Sequence, residues 1–455
     1  MDLLLQNAGY VVCTPEHVER GWDVLVEGDR IAAVGPGLKA PRQAAVMDAR
    51  GCAVVPGLIN AHTHLYQNLL KAIPKDLPLE AWCNEVLFPT VAALRQELDA
   101  GNSRLAYLWT ALASVEMIRG GTTCCYDMDI LAEGVVRAWQ EIGLRGVAGA
   151  TLANLALPDD IRRDEDDLRN DLLRQVDQWH GAGGRIQVSL APSAVFLCDG
   201  ALLEWARDQC VQHDLGMQIH IAETADEVRD AELAWGMHPL ARLEQQDMVN
   251  ERLSAVHCVH VTQKEIAQLA DGGVTVVHCP KSNMKLAAGI APVVDMLRSN
   301  VSVSLGTDGC ASNDLLDMWE EMRAAVFLAR VSTGKADALT AADALRMATI
   351  EGARACRVDA GRIEPGRLAD MAIVDLGGVH MRPVHDLVNT LVFCTRAEDV
   401  RDTIIGGQVV MQDRQVMTVD EASLLSELEK VESELFAGRE SFRFNVDFTP
   451  GRGGD

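Results

Sequence analysis

His62 and His64 stand one residue apart, shortly after the apolar run Ala53-Val54-Val55. On a strand, side chains two apart point to the same face, so a His-x-His pair at a strand end aims two imidazoles at one point. That is the arrangement a transition metal takes from neutral nitrogen ligands. Similar residues end later apolar runs: His220 with Glu223 three residues on, His257, His278, and Asp308 within Gly306-Thr-Asp-Gly309. Of 12 histidines, five fall at such ends, a grouping that chance scatter does not easily produce. Three His and one Asp suit Zn2+ or Fe2+ and leave room for a water. His62, His64, His220 and Asp308 are the expected ligands. Glu223 lies on the loop just past its strand, within reach of that water and of a substrate ring nitrogen, which suits a general acid/base. Its plain alternative is a Glu at the start of the helix that follows Thr224. His257 is expected to hydrogen-bond the attacking oxygen or polarise the attacked carbon, with a fifth ligand as the alternative. Asp308 is expected to steady the attacking oxygen as well as the metal.

These residues need a scaffold that brings many strand ends to one mouth. From residue 58 onward, apolar runs of strand length alternate with helical stretches. The expected strands are 53–62, 122–128, 145–152, 185–192, 216–222, 253–259, 274–279 and 301–307. Eight such repeats predict a (β/α)8 TIM barrel, whose chemistry sits at the C-terminal strand ends. A doubly wound open sheet is the alternative, but no Gly-x-Gly-x-x-Gly follows a first strand. Residues 1–57 read as short strands, and so do Met371–Val374, Thr390–Phe393, Asp402–Ile405 and Gln408–Met411 after the barrel. The expectation is one small composite β-sandwich domain from segments 1–57 and 365–455, interrupted by a catalytic barrel over 58–364. Helices are expected over 340–356 and 420–436, and 445–455 reads as extended. The long connection 65–102, with Trp82 and Pro89, is a candidate lid or pocket wall. The acidic run Asp164–Asp167 reads as the start of a solvated helix.

Composition limits the partners. Net charge is −25 and aromatics are 4%. Such a surface repels phosphate backbones and anionic lipid, and it offers few stacking platforms for single strands. The expectation is a small neutral or cationic substrate, with no nucleic acid and no membrane partner. Twelve cysteines without a Cys-x-x-Cys, and no signal-like or membrane-length apolar run, read as reduced thiols in a cytoplasmic protein. No Lys occurs between Lys75 and Lys264. The fourth strand therefore lacks the lysine that could bridge two ions, and one ion per subunit is expected.

Taken together, His62-x-His64, His220 with Glu223, His257 and Gly-Thr-Asp308 resemble the amidohydrolase superfamily, and within it the mononuclear aminohydrolases. That branch includes methylthioadenosine/S-adenosylhomocysteine deaminases, guanine and 8-oxoguanine deaminases, and triazine hydrolases. The resemblance extends to Pro56-Gly57-Leu-Ile-Asn60, His278-Cys-Pro-Lys-Ser-Asn283 and Ser312-Asn-Asp314. It implies a bound Zn2+ or Fe2+, a homodimer or larger assembly, and hydrolytic release of ammonia from an amino-substituted N-heterocycle. Nucleoside deaminases of this group carry an acidic residue after a first-loop Trp-Pro, whereas this chain has Phe88-Pro-Thr-Val91. His64-Leu-Tyr-Gln67 is instead similar to guanine-type deaminases, where a Gln reads the base, and an amide suits the donor/acceptor edge of a ring. The expected substrate is thus a guanine- or 8-oxoguanine-like purine, a pyrimidine or an aminotriazine. The alternatives are loss of chloride or alkylamine from a triazine, and hydrolysis of a urea or carbamate. An inactive barrel scaffold is a third possibility, disfavoured because every ligand is present. Gln67, Trp82, Ser193 and His278 are the expected substrate contacts, the last with a packed core histidine as its alternative. Asn283, Cys310 and Ser312 are weaker candidates.

Overall fold

The computed structural model describes residues 2–73, 76–102, 104–129 and 132–436. The segment 445–455, read above as extended, lies outside them. Eight parallel strands run in sequence order through one sheet: β1 (Leu58–Thr63), β2 (Thr122–Asp129), β3 (Arg145–Leu152), β4 (Ile186–Pro192), β5 (Met217–Ile221), β6 (Leu253–His257), β7 (Thr275–His278) and β8 (Ser302–Leu305). The segment after β8 returns to β1, where Asp308 donates its N–H to the His62 carbonyl at 3.0 Å. Helices separate the strands, so the architecture is the expected (β/α)8 barrel. Strands covered on both faces are largely buried, and the polar residues among them, such as Asn60, Asp127 and Gln218, are buried as well.

The remaining strands build two sheets. The seven-stranded sheet orders Gln415–Val416, Gln408–Gln412, Val400–Ile405, Met371–Asp375, Cys52–Pro56, Tyr10–Thr14 and His17–Arg20. Segments from both ends of the chain meet at its centre, where Met371 pairs with Pro56 and Asp375 with Cys52 in antiparallel register. A four-stranded sheet of Arg30–Gly35, Asp23–Glu27, Leu3–Gln6 and Ala45–Asp48 packs onto it over Leu5, Val24, Val54 and Ile373. Gly406 and Gly407, with φ of 55° and 71°, form the expected tight turn between two of these strands.

Two expectations change. The run 53–62 is two strands, not one: Cys52–Pro56 belongs to the sandwich, and the barrel begins at Leu58. Gly57 makes the corner, and a Cβ there would lie 2.1 Å from Thr123 Oγ1. Thr390–Phe393, read as a strand, lies in helix Leu387–Cys394. Asp386 caps that helix by accepting the Asn389 N–H, and Phe393 stacks on Phe327 of helix Met318–Thr333. Tertiary packing here overrides the strand preference of a β-branched run. Asp164 caps helix Glu165–Trp179, as the acidic run implied.

The base of the barrel is joined to the sandwich by a buried ion pair. Arg145, at the start of β3, donates to both carboxylate oxygens of Asp370 at 2.6 and 3.1 Å. Asp370 also accepts the Gly406 N–H. No helix among the described residues is long and apolar enough to cross a membrane.

Candidate metal centre and cavity

At the opposite end of the barrel, β1 delivers His62 and His64, β5 delivers His220, and the turn after β8 delivers Asp308. One ligand atom from each lies within 4.8 Å of all the others. Each imidazole is oriented through its other nitrogen. His62 Nδ1 donates to Gln218 Oε1 at 2.6 Å, His64 Nδ1 to the Met128 carbonyl at 2.7 Å, and His220 Nδ1 to the Ser193 carbonyl. Gln218 is itself fixed by donating to the Ala61 carbonyl. With the protons on Nδ1, the three Nε2 atoms present bare lone pairs to one another. Those of His62 and His220 are 3.2 Å apart, and Asp308 Oδ1 lies 3.3 and 3.4 Å from those of His62 and His64. Converging lone pairs in a buried pocket repel unless a cation lies among them. The donor set therefore fits a divalent ion such as Zn2+, and these four residues form a metal site.

The electrostatics agree. Burial first, then the neighbouring imidazoles, hold His220 well below its ordinary value, and burial with His62 holds His64 down at about 4. Neutral imidazole is the ligating form. Burial alone would raise the Asp308 carboxyl, but the histidines around it, His62 first, keep it well below the carboxylate range. Its other oxygen accepts from the Ser282 and Ser312 hydroxyls at 2.6 and 3.1 Å. The backbone is strained where side chains must aim inward: Ala222, His257 and Asp308 have φ of 50°, 69° and 62°. Such conformations cost about 1–3 kcal/mol each and collect at functional sites.

Glu223 and His257 flank the site. His257 Nε2 lies 3.4 Å from Glu223 Oε2, while its Nδ1 donates to Asn283 Oδ1 at 2.9 Å. Among the described residues, His257 falls outside the four-ligand group. Burial, then the Asp308 charge, push the Glu223 carboxyl up to about 8. Its Oε1 is buried without a hydrogen-bond partner.

His64, His220, Asp308, Glu223 and His257 open onto one cavity of about 710 Å³. Gln67, Trp82, Ser193 and Ser312 line it. Gln67 is 2% exposed, and its Oε1 has no partner. Its amide lies so close over Gly309 that a Cβ there would be 1.9 Å from Oε1. Leu87, Phe88 and Val91 from the long first connection line the cavity with Leu155 and Phe196, beside the charged Glu80, Arg95, Arg163, Asp226 and Asp230. His278, Asn283 and Cys310 are not among the described lining residues. His278 is buried, and burial with His257 holds it down at about 3, the neutral state of a packed histidine. Sequence reasoning missed Gln218 and Ser282. Gln218 left a signal: it shares a strand face with His220, while Met217, Ile219 and Ile221 take the other.

The amidohydrolase family matches residues 53–410. A methylthioadenosine/S-adenosylhomocysteine deaminase of Pelotomaculum thermopropionicum is 37% identical over 94% of this chain and 98% of its own length. A solved adenosine deaminase from Xanthomonas campestris with bound zinc superposes with a TM-score of 0.88 at 35% identity, covering 95% of this chain and 98% of that one. A triazine hydrolase from Arthrobacter aurescens gives 0.89 at 25% identity, over 94% of this chain and 99% of its own. With its barrel, its three-histidine, one-aspartate metal site and this match, the chain belongs to the amidohydrolase family and is a metal-dependent hydrolase of carbon–nitrogen bonds outside peptides.

Proposed function

We propose that the protein hydrolytically deaminates an amino-substituted N-heterocycle, with an adenine-type ring bearing a larger substituent as its substrate class. The observation that carries this is Glu223, a buried carboxyl beside His257 with one oxygen unpartnered and an affinity for protons near neutrality. A divalent ion held by His62, His64, His220 and Asp308 supplies Lewis acidity and a water that ionises near neutral pH. Glu223 takes a proton from the attacking water and passes it to the ring nitrogen next to the amine-bearing carbon. The C–O bond forms, the C–N bond to the exocyclic amine breaks, and the amine leaves as ammonia with the proton of the added hydroxyl, which becomes the ring carbonyl. His257, fixed by Asn283, turns Nε2 toward the attacked carbon. Asp308 Oδ1 faces the attacking oxygen, while the two serine hydroxyls hold its other oxygen. Gln67 offers its unpartnered Oε1 to the ring edge, and Trp82 and Ser193 bound the ring's position.

The substituent follows from size and lining. A cavity of about 710 Å³ lies within the range of about 300–1,000 Å³ that takes drug-sized molecules. Its lining, apolar in larger part, leaves room beyond a bare base. Relatives named for methylthioadenosine, S-adenosylhomocysteine and 5'-deoxyadenosine deamination support the adenine side. A second assignment, displacement of chloride or alkylamine from a triazine, is favoured by the absence of a carboxylate in Phe88–Val91 and by the triazine hydrolase likeness. We also propose a cytoplasmic location, supported by twelve free cysteines, and a homo-oligomer, on the family resemblance alone.

The test is a product assay with zinc-loaded protein. The panel holds methylthioadenosine, S-adenosylhomocysteine, 5'-deoxyadenosine, guanine, 8-oxoguanine, an aminotriazine and a chlorotriazine. Ammonia from the adenine compounds is expected. Ammonia only from guanine or 8-oxoguanine would move the substrate class back to bare bases. Chloride or alkylamine without ammonia would establish the second assignment.

A further inference from the structure

Helix Ala225–Trp235 follows the catalytic corner, and its acidic residues divide into two kinds. Asp226 and Asp230 pair with Arg229 near the surface. Glu227 turns inward instead, and its carboxylate accepts two backbone N–H groups, Ala222 at 3.1 Å on Oε1 and Glu223 at 2.8 Å on Oε2. Those N–H groups need a partner. The β5–β6 ladder ends at Ile221 opposite His257, so neither has a strand to bond. Both residues are buried, and an unpaired buried N–H is costly.

The bonds go beyond ordinary helix capping. In a capping box, the N3 carboxylate reaches back to the N–H of the N-cap residue itself. Here Thr224 is the N-cap and accepts the Glu227 N–H at 3.1 Å. The carboxylate, however, bonds the two residues before Thr224. One of them, Ala222, has a left-handed φ of 50° that a residue with a Cβ adopts only under constraint. Its carbonyl is held as well, accepting the His260 N–H at 3.0 Å. The chain is thus pinned on both sides at the one turn that aims Glu223 at the metal site.

We infer that Glu227 is a positioning residue for catalysis: its carboxylate clamps the Ala222–Glu223 backbone and so sets where the Glu223 carboxyl stands over the metal site. This rests on the deaminase assignment only in giving Glu223 its proton-transfer role. The clamp itself is backbone geometry. Gln in place of Glu keeps the size but turns an acceptor into a donor facing an N–H, so one of the two bonds is lost. Ala removes both.

The experiment compares wild type, Glu227→Gln and Glu227→Ala as zinc-loaded full chains. It measures kcat and KM, metal content, thermal midpoint, and amide hydrogen exchange across residues 221–226. Misplacement of a reacting group by about an ångström costs up to about 100-fold. Glu227→Gln should therefore lower kcat by about 10- to 100-fold with KM within about twofold, and Glu227→Ala further. Metal content should stay at the wild-type level, and exchange should quicken only at this corner. Wild-type kcat and exchange in Glu227→Gln would overturn the clamp, and so would loss of activity that merely follows loss of metal. If wild type turns over no substrate on the panel while exchange still quickens at the corner, the clamp stands and the deaminase assignment falls.

Discussion

The two ends of the barrel bury charge in opposite ways. At the base, Arg145 and Asp370 satisfy each other with two hydrogen bonds, and the remaining acceptor capacity goes to the backbone. Nothing there is left to bind. At the mouth, Gln67 Oε1 and Glu223 Oε1 are buried without partners, three histidine nitrogens converge as bare lone pairs, and the backbone is strained at three positions. Burial of polar groups is equally deep in both places, so depth does not mark function. Unpartnered atoms occur elsewhere too, such as Thr122 Oγ1 and Trp139 Nε1; what marks the mouth is that open polar atoms and bare imidazole nitrogens converge beside one cavity.

The contrast can be broken by mutation. The largest effect is expected at the mouth: Glu223→Gln should lower kcat by about 10²–10⁴-fold, the usual contribution of a positioned acid/base, and leave thermal stability near wild type. Measuring kcat beside the thermal midpoint checks this, and a stability loss matching the activity loss would erase the distinction between the two ends. Arg145→Ala, at the base, should do the reverse. It strands a buried Asp370 and should cost about 3–5 kcal/mol of stability by denaturant titration, with metal content per folded chain unchanged. Gln67→Ala should raise KM by about tenfold, roughly 1.4 kcal/mol, with kcat changed less, as expected for an amide that contacts substrate and not the reacting bond.

The smallest effect sharpens the contrast within the mouth-side loops. His238 and Glu265, outside the cavity lining, form a satisfied pair at 2.5 Å. Burial opposes the His238 charge, but Glu265 outweighs it and raises the imidazole above its ordinary 6.5. Glu265 is correspondingly held below 4.5, burial being outweighed by His238 and Thr262. The raised histidine stabilises below pH 6.5 and loses its effect as pH climbs through its folded value. The lowered glutamate stabilises above pH 4.5 and loses its effect as pH falls. The stability gap between wild type and Glu265→Gln should therefore be widest between pH 4.5 and 6.5 and shrink on both sides. Melts across that range read it directly.

Much of the mouth was legible in sequence because strand alternation is a strict rule. His62 and His64 two apart, and His220 and Asp308 after apolar runs, were bound to face one opening once the barrel was inferred. What escaped were partners chosen by three-dimensional proximity. Ser282 holds Asp308 from 26 residues away, and no spacing announces that. Glu227 carries no mark of its own in the sequence, since a carboxylate that turns back onto backbone has the same residue type as one that faces water. At the base, Arg145 and Asp370 are separated by 225 positions and left no local mark. The helix at Leu387–Cys394 was misjudged because its β-branched residues answer to the packing of Phe393 on Phe327, not to their own preference.

The corner at Gly57 has a consequence for how the chain is made. Cys52–Pro56 leaves the ribosome early, but its central partner Met371–Asp375 is synthesised only after the entire barrel. Until then its edge is an open template of Val54 and Val55, ready to pair with another nascent chain. The strand carrying the first two metal ligands starts one residue beyond that edge. A chain cut off before residue 371 would own every ligand and still be at risk of aggregating through a sheet that waits for its other half.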